Sequence, residues 1–215
     1  MLYKSAYLII IVALISCSSD TKKIHHSKLQ TKISVKDSII EDCNYTLKEA
    51  TAGSKAPDTI LQQLQLIDLK YYSTDGKIHK GQILANRKFA DKIRIMFGVL
   101  FQNKFPIAHA IPIVKYNWDD NLSMEANNTY SFCYRDISYS KHALGMAIDI
   151  NPFFNPVRWK IGYKNRAIAP TGAHYDISRP GTFYGLHPVV VEFKKLGLHW
   201  GHDFKHKYDD HHFEI

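Results

Sequence analysis

Cysteine is scarce in this chain, with three among 215 residues, at positions 17, 43 and 133. No two of them stand in a C-x-x-C spacing, which disfavours zinc held by sulfur. Long apolar runs are missing too. The longest, Ala6 to Ile15, is broken only by Tyr7, and it falls short of the about 20 residues that a spanning helix needs. With Lys4 ahead of it, the run reads as a secretion signal. No segment repeats along the chain. Acid is the minority charge, 20 Asp and Glu against 28 Lys and Arg, for a formal net charge of +8. Removal of residues 1–16 would take one Lys and no acid, leaving +7. Export makes nucleic acid the least expected partner of such a basic chain. Acidic lipid and acidic wall polymer both stay open.

What is present suits a folded domain. Hydrophobic residues make up 45% of the chain, enough for an ordinary core. The aromatic share is 13%, including 13 Tyr and 11 Phe. Aromatics line clefts in some proteins, but core packing is the plainer reading. The run into Leu14-Ile15-Ser16-Cys17 resembles a bacterial lipobox, and the residues after it, Ser18-Ser19-Asp20, are polar. This reading implies cleavage before Cys17 and a lipid on it. The rival is an ordinary signal peptide with an incidental Cys. Cys43 and Cys133 would then meet an oxidising compartment where a disulfide is allowed. Nothing in the sequence sets them within reach of each other.

The expected organisation is a lipoprotein signal peptide at 1–16, a lipid-anchored tether at 17–57 and a folded domain at 58–215. Residues 18–57 are polar and rich in Lys and Ser, with room for a short element between Ile33 and Cys43. Ile67, Leu69 and Tyr71 alternate with Asp68 and Lys70 as a half-buried strand does. Ser73 to Gly76 is a turn, and Gly81 to Leu84 suggests another strand. Asn86 can cap a helix to about Asn103, whose apolar stripe is Phe89, Ile93, Met96, Phe97 and Leu100. Phe105 to Ile107 and Ile111 to Tyr116 are strand candidates. Trp118 to Asn128 reads as a polar loop, and Ala147 to Ile150 as a short buried strand. Residues 151–180 form a long loop without period, the kind that carries function or an insertion. Pro188 opens a helix that Gly197 stops. Leu198 to Gly201 and His212 to Ile215 look like closing strands. The fold class is α+β, with a small antiparallel sheet and flanking helices.

Two segments carry the chemistry. In Ala147-Ile-Asp149-Ile150 the two Ile share a face toward the core, so Asp149 faces a cleft. His142 lies on the approach to this strand, and Gly145 permits a turn or close backbone contact between them. Downstream stands Asp209-Asp210-His211-His212-Phe213-Glu214. A His and an Asp from one segment plus a His from the other supply three nitrogen and oxygen ligands. An open fourth position is the mark of a catalytic zinc. Asp209 and His212 are three apart, close enough on a tight bend to face one cleft. There Asp209 can take a proton from metal-bound water and pass it to a leaving amine. His211 and His212 cannot both point inward along one strand. His212 keeps the offset from Asp209 and is the expected ligand. Asp210 and Glu214 read as solvated or outer acids, and Glu214 is placed to hold a ligand imidazole. Arg135 stands seven residues before His142. It either holds a substrate carboxylate or oxyanion, or it pairs with Asp136 at the surface.

These residues resemble the LAS metallopeptidases, which include D-Ala-D-Ala carboxypeptidases and dipeptidases and L-alanyl-D-glutamate endopeptidases of the bacterial wall. The family pattern is SxHxxGxAxD followed far downstream by acid-x-x-His. Ser140, His142, Gly145, Ala147 and Asp149 match the first part, and Asp209 and His212 the second. Gly197-Leu-His-Trp200-Gly201 is similar to the family's approach to the final motif. The resemblance covers about residues 64–215. It implies Zn²⁺ on His142, Asp149 and His212, with Asp209 as general base and Arg135 assisting. It also implies a Hedgehog/D-Ala-D-Ala peptidase-like fold with the zinc site in a cleft on the sheet. His202 stands where a glycine is common, Phe204 where a tryptophan is common, and Asp209 is shorter than the Glu of many relatives.

The expected protein is an exported, lipid-anchored, monomeric zinc peptidase of wall stem peptides, facing the periplasm or cell wall. Two rivals are a zinc domain that binds wall peptide without cutting it, and a structural lipoprotein whose His-rich end binds metal loosely. The sequence does not separate D-Ala-D-Ala from L-Ala-D-Glu cleavage.

Overall fold

The computed structural model describes residues 39–137, 139–163 and 166–215. The expected signal peptide, the lipid site at Cys17 and the tether up to residue 38 lie outside the described residues.

A long hairpin organises the first half. Strand β1 is Ile40–Glu41, followed by helices α1 (Leu47–Ala50) and α2 (Asp58–Leu61) and by strands β2 (Leu64–Tyr72) and β3 (Ile78–Asn86). In β2 the apolar Ile67, Leu69 and Tyr71 are buried while Asp68 and Lys70 are exposed, as the alternation requires. β2 pairs antiparallel with β3, and β1 adds parallel on the other edge of β3. Helix α3, Arg87–Gln102, follows directly. Its cap is Asn86, whose side-chain oxygen accepts from Lys88 N at 3.0 Å. Its buried stripe contains the five apolar residues that the spacing singles out. Each contributes about 1.5–3 kcal/mol on leaving water.

The second half supplies β4 (His109–Ala110), α4 (Asp120–Glu125), β5 (Asn128–Thr129), β6 (Ala147–Asp149) and β7 (Val157–Trp159). Helix α5 (Pro188–Lys195) and strands β8 (His199–Trp200), β9 (Lys207–Asp209) and β10 (His212–Glu214) complete it. The strands form a three-stranded sheet in the order β6-β10-β8, a parallel pair β4-β5 and an antiparallel ribbon β7-β9. The core lies between the hairpin, α3 and α5. It takes in Ile148 and Ile150, Val189, Val190 and Phe193, and Trp200 and Phe213. No helix among the described residues is long and apolar enough to cross a membrane.

The α+β class is as expected, but the single antiparallel sheet is not. Several small sheets, two pairings of them parallel, share the core. The domain also begins earlier than residue 58. Tyr45 N donates to Gln82 Oε1 at 2.7 Å, and Ala50 and Ala56 are buried with Leu64, Leu84 and Phe132. The free edge of β3 offers unpaired backbone groups, and this polar segment satisfies them. Ile113 to Tyr116 is a 3₁₀ turn rather than a strand. Pro112 ahead of it has no N–H to give a ladder, and Asn117 and Trp118 after it take left-handed backbone. Trp118 to Asn128 holds α4, because Asp119 caps it by accepting from Leu122 N at 3.1 Å. Cys43 and Cys133 are free thiols.

Candidate metal centre and active site

Strand pairing brings the distant candidate ligands together. Asp149 at the end of β6 stands directly opposite His212 at the start of β10. Opposed residues in an antiparallel pair project side by side on one face. His142 arrives from a 3₁₀ turn, His142–Leu144, that Gly145 ends at φ +66°. A Cβ at Gly145 would lie 2.7 Å from Asn86 N at the end of β3, so a larger residue would push the turn off the hairpin.

The three side chains converge. His142 Nε2 is 3.1 Å from Asp149 Oδ1 and 3.0 Å from His212 Nδ1, and His212 Nδ1 is 3.0 Å from Asp149 Oδ1. The outer nitrogens are already committed. His142 Nδ1 donates to Ser131 O at 2.7 Å, and His212 Nε2 donates to Glu214 Oε2 at 3.0 Å. Both inner nitrogens therefore carry lone pairs that face a carboxylate. Such a cluster suits a cation. A tetrahedral ion with bonds of about 2.0–2.1 Å sets its ligands roughly 3.3 Å apart, close to this triangle. Among the described residues this trio could hold a metal ion, and all three members are buried. Without a metal, protons supply the charge. Burial alone would lower His212, but hydrogen bonds to Asp149 and Glu214 outweigh it and push it up to about 10. Burial works against ionised Asp149, yet the His142 and His211 charges hold it well below the usual carboxylate range.

Asp209 reaches the same cavity, of about 490 Å³, which His142, Asp149, His212 and Arg135 also line. It ends β9, and the chain turns through Asp210 and His211 into β10. Gly201 makes this turn possible. A Cβ there would meet Asp209 O at 2.6 Å and His212 Cβ at 3.0 Å. Asp209 Oδ2 accepts from Lys207 Nζ at 2.6 Å. Its Oδ1 lies 2.9 Å from His211 Nε2 as an ion pair without hydrogen-bond alignment. Burial opposes the charge on Asp209, but His211, His212 and Lys207 outweigh it and keep the carboxyl below its ordinary value.

His211 does not point away as strand alternation predicts, because it sits in the turn before β10. Its Nδ1 donates to Asn155 O at 2.7 Å, and its Nε2 lies between Asp209 and Asp149, 3.7 Å from Asp149 Oδ2. Burial lowers it, the Asp209 and Asp149 charges raise it, and the balance is about 9. Asp210 is not solvated either. It is fully buried, 2.8 Å from Arg158 Nε and 2.6 Å from His202 Nδ1, and its carbonyl accepts from Trp200 Nε1. This network fixes the turn that aims Asp209 and His212.

Arg135 pairs with Asp120 at 2.7 Å rather than with Asp136. It also donates to the Tyr130 hydroxyl at 3.3 Å, and its buried Nε has no partner. Tyr130 OH lies 3.0 Å from Asp149 Oδ2 and contacts Asp120 as well. Burial and those two carboxylates keep its phenol protonated. Sequence reasoning missed Tyr130, Asp120 and Lys207. Tyr130 meets Asp149 through an isolated backbone bridge that no spacing encodes. For His211, adjacency to His212 was the only signal.

Residues 135–215 match a family model described as D-alanyl-D-alanine carboxypeptidase. The match covers less than half of the chain but takes in Arg135, His142, Asp149, Asp209 and His212. It supports the resemblance to the LAS zinc peptidases and, at the level of activity, a peptidase of that type. No curated protein and no solved structure matches the chain.

Proposed function

We propose that this chain is a zinc-dependent peptidase of peptidoglycan stem peptides, a D-Ala-D-Ala carboxypeptidase or an L-Ala-D-Glu endopeptidase, on a Hedgehog/D-Ala-D-Ala peptidase-like scaffold. One observation carries the reading. Two imidazole nitrogens and a carboxylate oxygen stand within 3.1 Å of one another, in a cavity that Asp209 shares.

His142 Nε2, Asp149 Oδ1 and His212 Nδ1 would hold Zn²⁺. When bound, the ion supplies Lewis-acid activation of water and of the scissile carbonyl. Asp209 stays ionised at neutral pH, and its Oδ1, which accepts no hydrogen bond, would take the proton of the attacking water and return it to the leaving amine. Lys207 and His211 hold that carboxylate in place. Tyr130 fixes the far oxygen of Asp149. Arg135, oriented by Asp120, offers a cation to the substrate carboxylate or to the developing oxyanion. The apolar run before Cys17 supports export and lipid anchoring at a bacterial membrane, with the domain facing the periplasm or wall. Such a chain would act as a monomer.

The mature chain, loaded with zinc, should release new amine ends from purified sacculi. Asp209→Ala should lower turnover by about 10²–10⁴-fold and leave zinc content by atomic absorption unchanged. Full activity in that variant would remove Asp209 as the base. A zinc-loaded wild type that cuts no stem peptide would favour a binding domain instead.

A further inference from the structure

A second cavity, of about 270 Å³, has aromatic surface from Trp159, Tyr163 and Phe204. Arg166, Lys205 and Lys207 give it positive charge, and no Asp or Glu lines it among the described residues. It adjoins the candidate active site, since Phe204 and Lys207 line both cavities. The Phe204 ring lies 5.6 Å from the ring of His212.

Ribbon β7-β9 accounts for this adjacency. Val157 is paired with Asp209, and Trp159 with Lys207. Residues two apart on a strand share a face, so both cross-strand pairs stand on one side of the ribbon. The first pair borders the candidate active site and the second borders the neighbouring cavity. A substrate chain leaving the metal centre along this face would cross from Asp209 to Lys207 within one pleat.

We infer that this cavity is a substrate subsite for an acidic residue of the peptide, close to the scissile bond. The inference rests on the peptidase reading and deepens it. Lys207 is partly neutralised by Asp209 at 2.6 Å. Arg166 is stacked on Trp159, with 4.7 Å from guanidinium carbon to ring centroid, which leaves its edge N–H groups to meet a carboxylate. Lys205 is exposed beside it. The aromatic floor covers the apolar part of the same residue. A neutral residue there would gain the floor but not the cations.

The test compares two probes. One is the stem peptide L-Ala-γ-D-Glu-L-Lys-D-Ala-D-Ala with the free α-carboxylate on its D-glutamyl residue. The other carries a carboxamide at that position. Zinc-loaded wild type should favour the acid, and the Arg166→Ala/Lys205→Ala double variant should lose about 3–10-fold in affinity for it, the size of two exposed ion pairs. The amide should be unaffected. Arg166→Glu/Lys205→Glu should reverse the preference. Affinity is read by calorimetry and KM by turnover. If wild type binds both probes alike, or if the variants weaken both equally, the subsite is overturned. If the acid is preferred in binding but neither probe is cut, the peptidase reading fails and the subsite stands.

Discussion

At the level of single residues, the site depends on which nitrogen of each imidazole is spent on a hydrogen bond. Glu214 takes the outer N–H of His212 and so turns Nδ1 inward. Glu214→Ala should weaken zinc binding by about 10–100-fold, read by competition with a chromophoric chelator, with little change in far-ultraviolet dichroism. Protonation sets a second expectation. In the metal-free chain His211 and His212 are raised to about 9 and about 10. A raised imidazole pKa stabilises the fold below the unfolded value near 6.5, and that gain is lost as pH climbs through the folded values. Asp149 and Asp209 act the other way, since their depressed pKa values give stability that is lost only in strong acid. Metal-free protein should therefore lose thermal stability between about pH 6.5 and 10. Zinc should remove the His212 share of that loss, because it takes the same lone pair. Melting curves against pH, with and without zinc, check this. A flat metal-free profile would mean that His211 and His212 do not share protons with the acids around them.

Among the elements, short turns matter more here than long strands. The candidate ligands sit at strand ends and in two tight turns, each with a glycine beneath it. Gly201→Ala would drive a methyl into Asp209 and His212. A shift of about 1 Å at such a site costs roughly 100-fold in rate. This variant should lose kcat/KM by about that factor while remaining folded by circular dichroism. The β2-β3 hairpin and α3 were legible because alternation, a turn and an Asn cap agree over many residues. The ribbon β7-β9 was not. Each of its strands has three residues, too few for a period to show, and its pairing spans about 50 positions. α4 was hidden for a related reason, since its polar composition masked the Asp119 cap.

For the whole molecule, the described part of the segment read as tether, from residue 39 on, packs on the domain. Residues 40–56 close the edge of β3 and cover Leu64, Leu84 and Phe132. A chain starting at residue 58 should melt lower than one starting at 39, by about 1–3 kcal/mol of lost burial and hydrogen bonding. Equal melting temperatures would return the segment to the status of a linker. The donor types of the candidate centre were legible in the sequence alone. SxHxxGxAxD and the acid-x-x-His supply imidazoles and carboxylates, donors that suit zinc, and their identities survive any detail of packing. Tertiary structure decided what surrounds them. Asp120 rather than Asp136 takes Arg135, Tyr130 braces Asp149, His211 turns inward, and a cationic aromatic cavity opens beside Asp209. Each of these contacts joins residues through a turn or a pairing between separate segments. Ligand identity is a property of side chains, whereas neighbourhood is a property of the path the backbone takes between them.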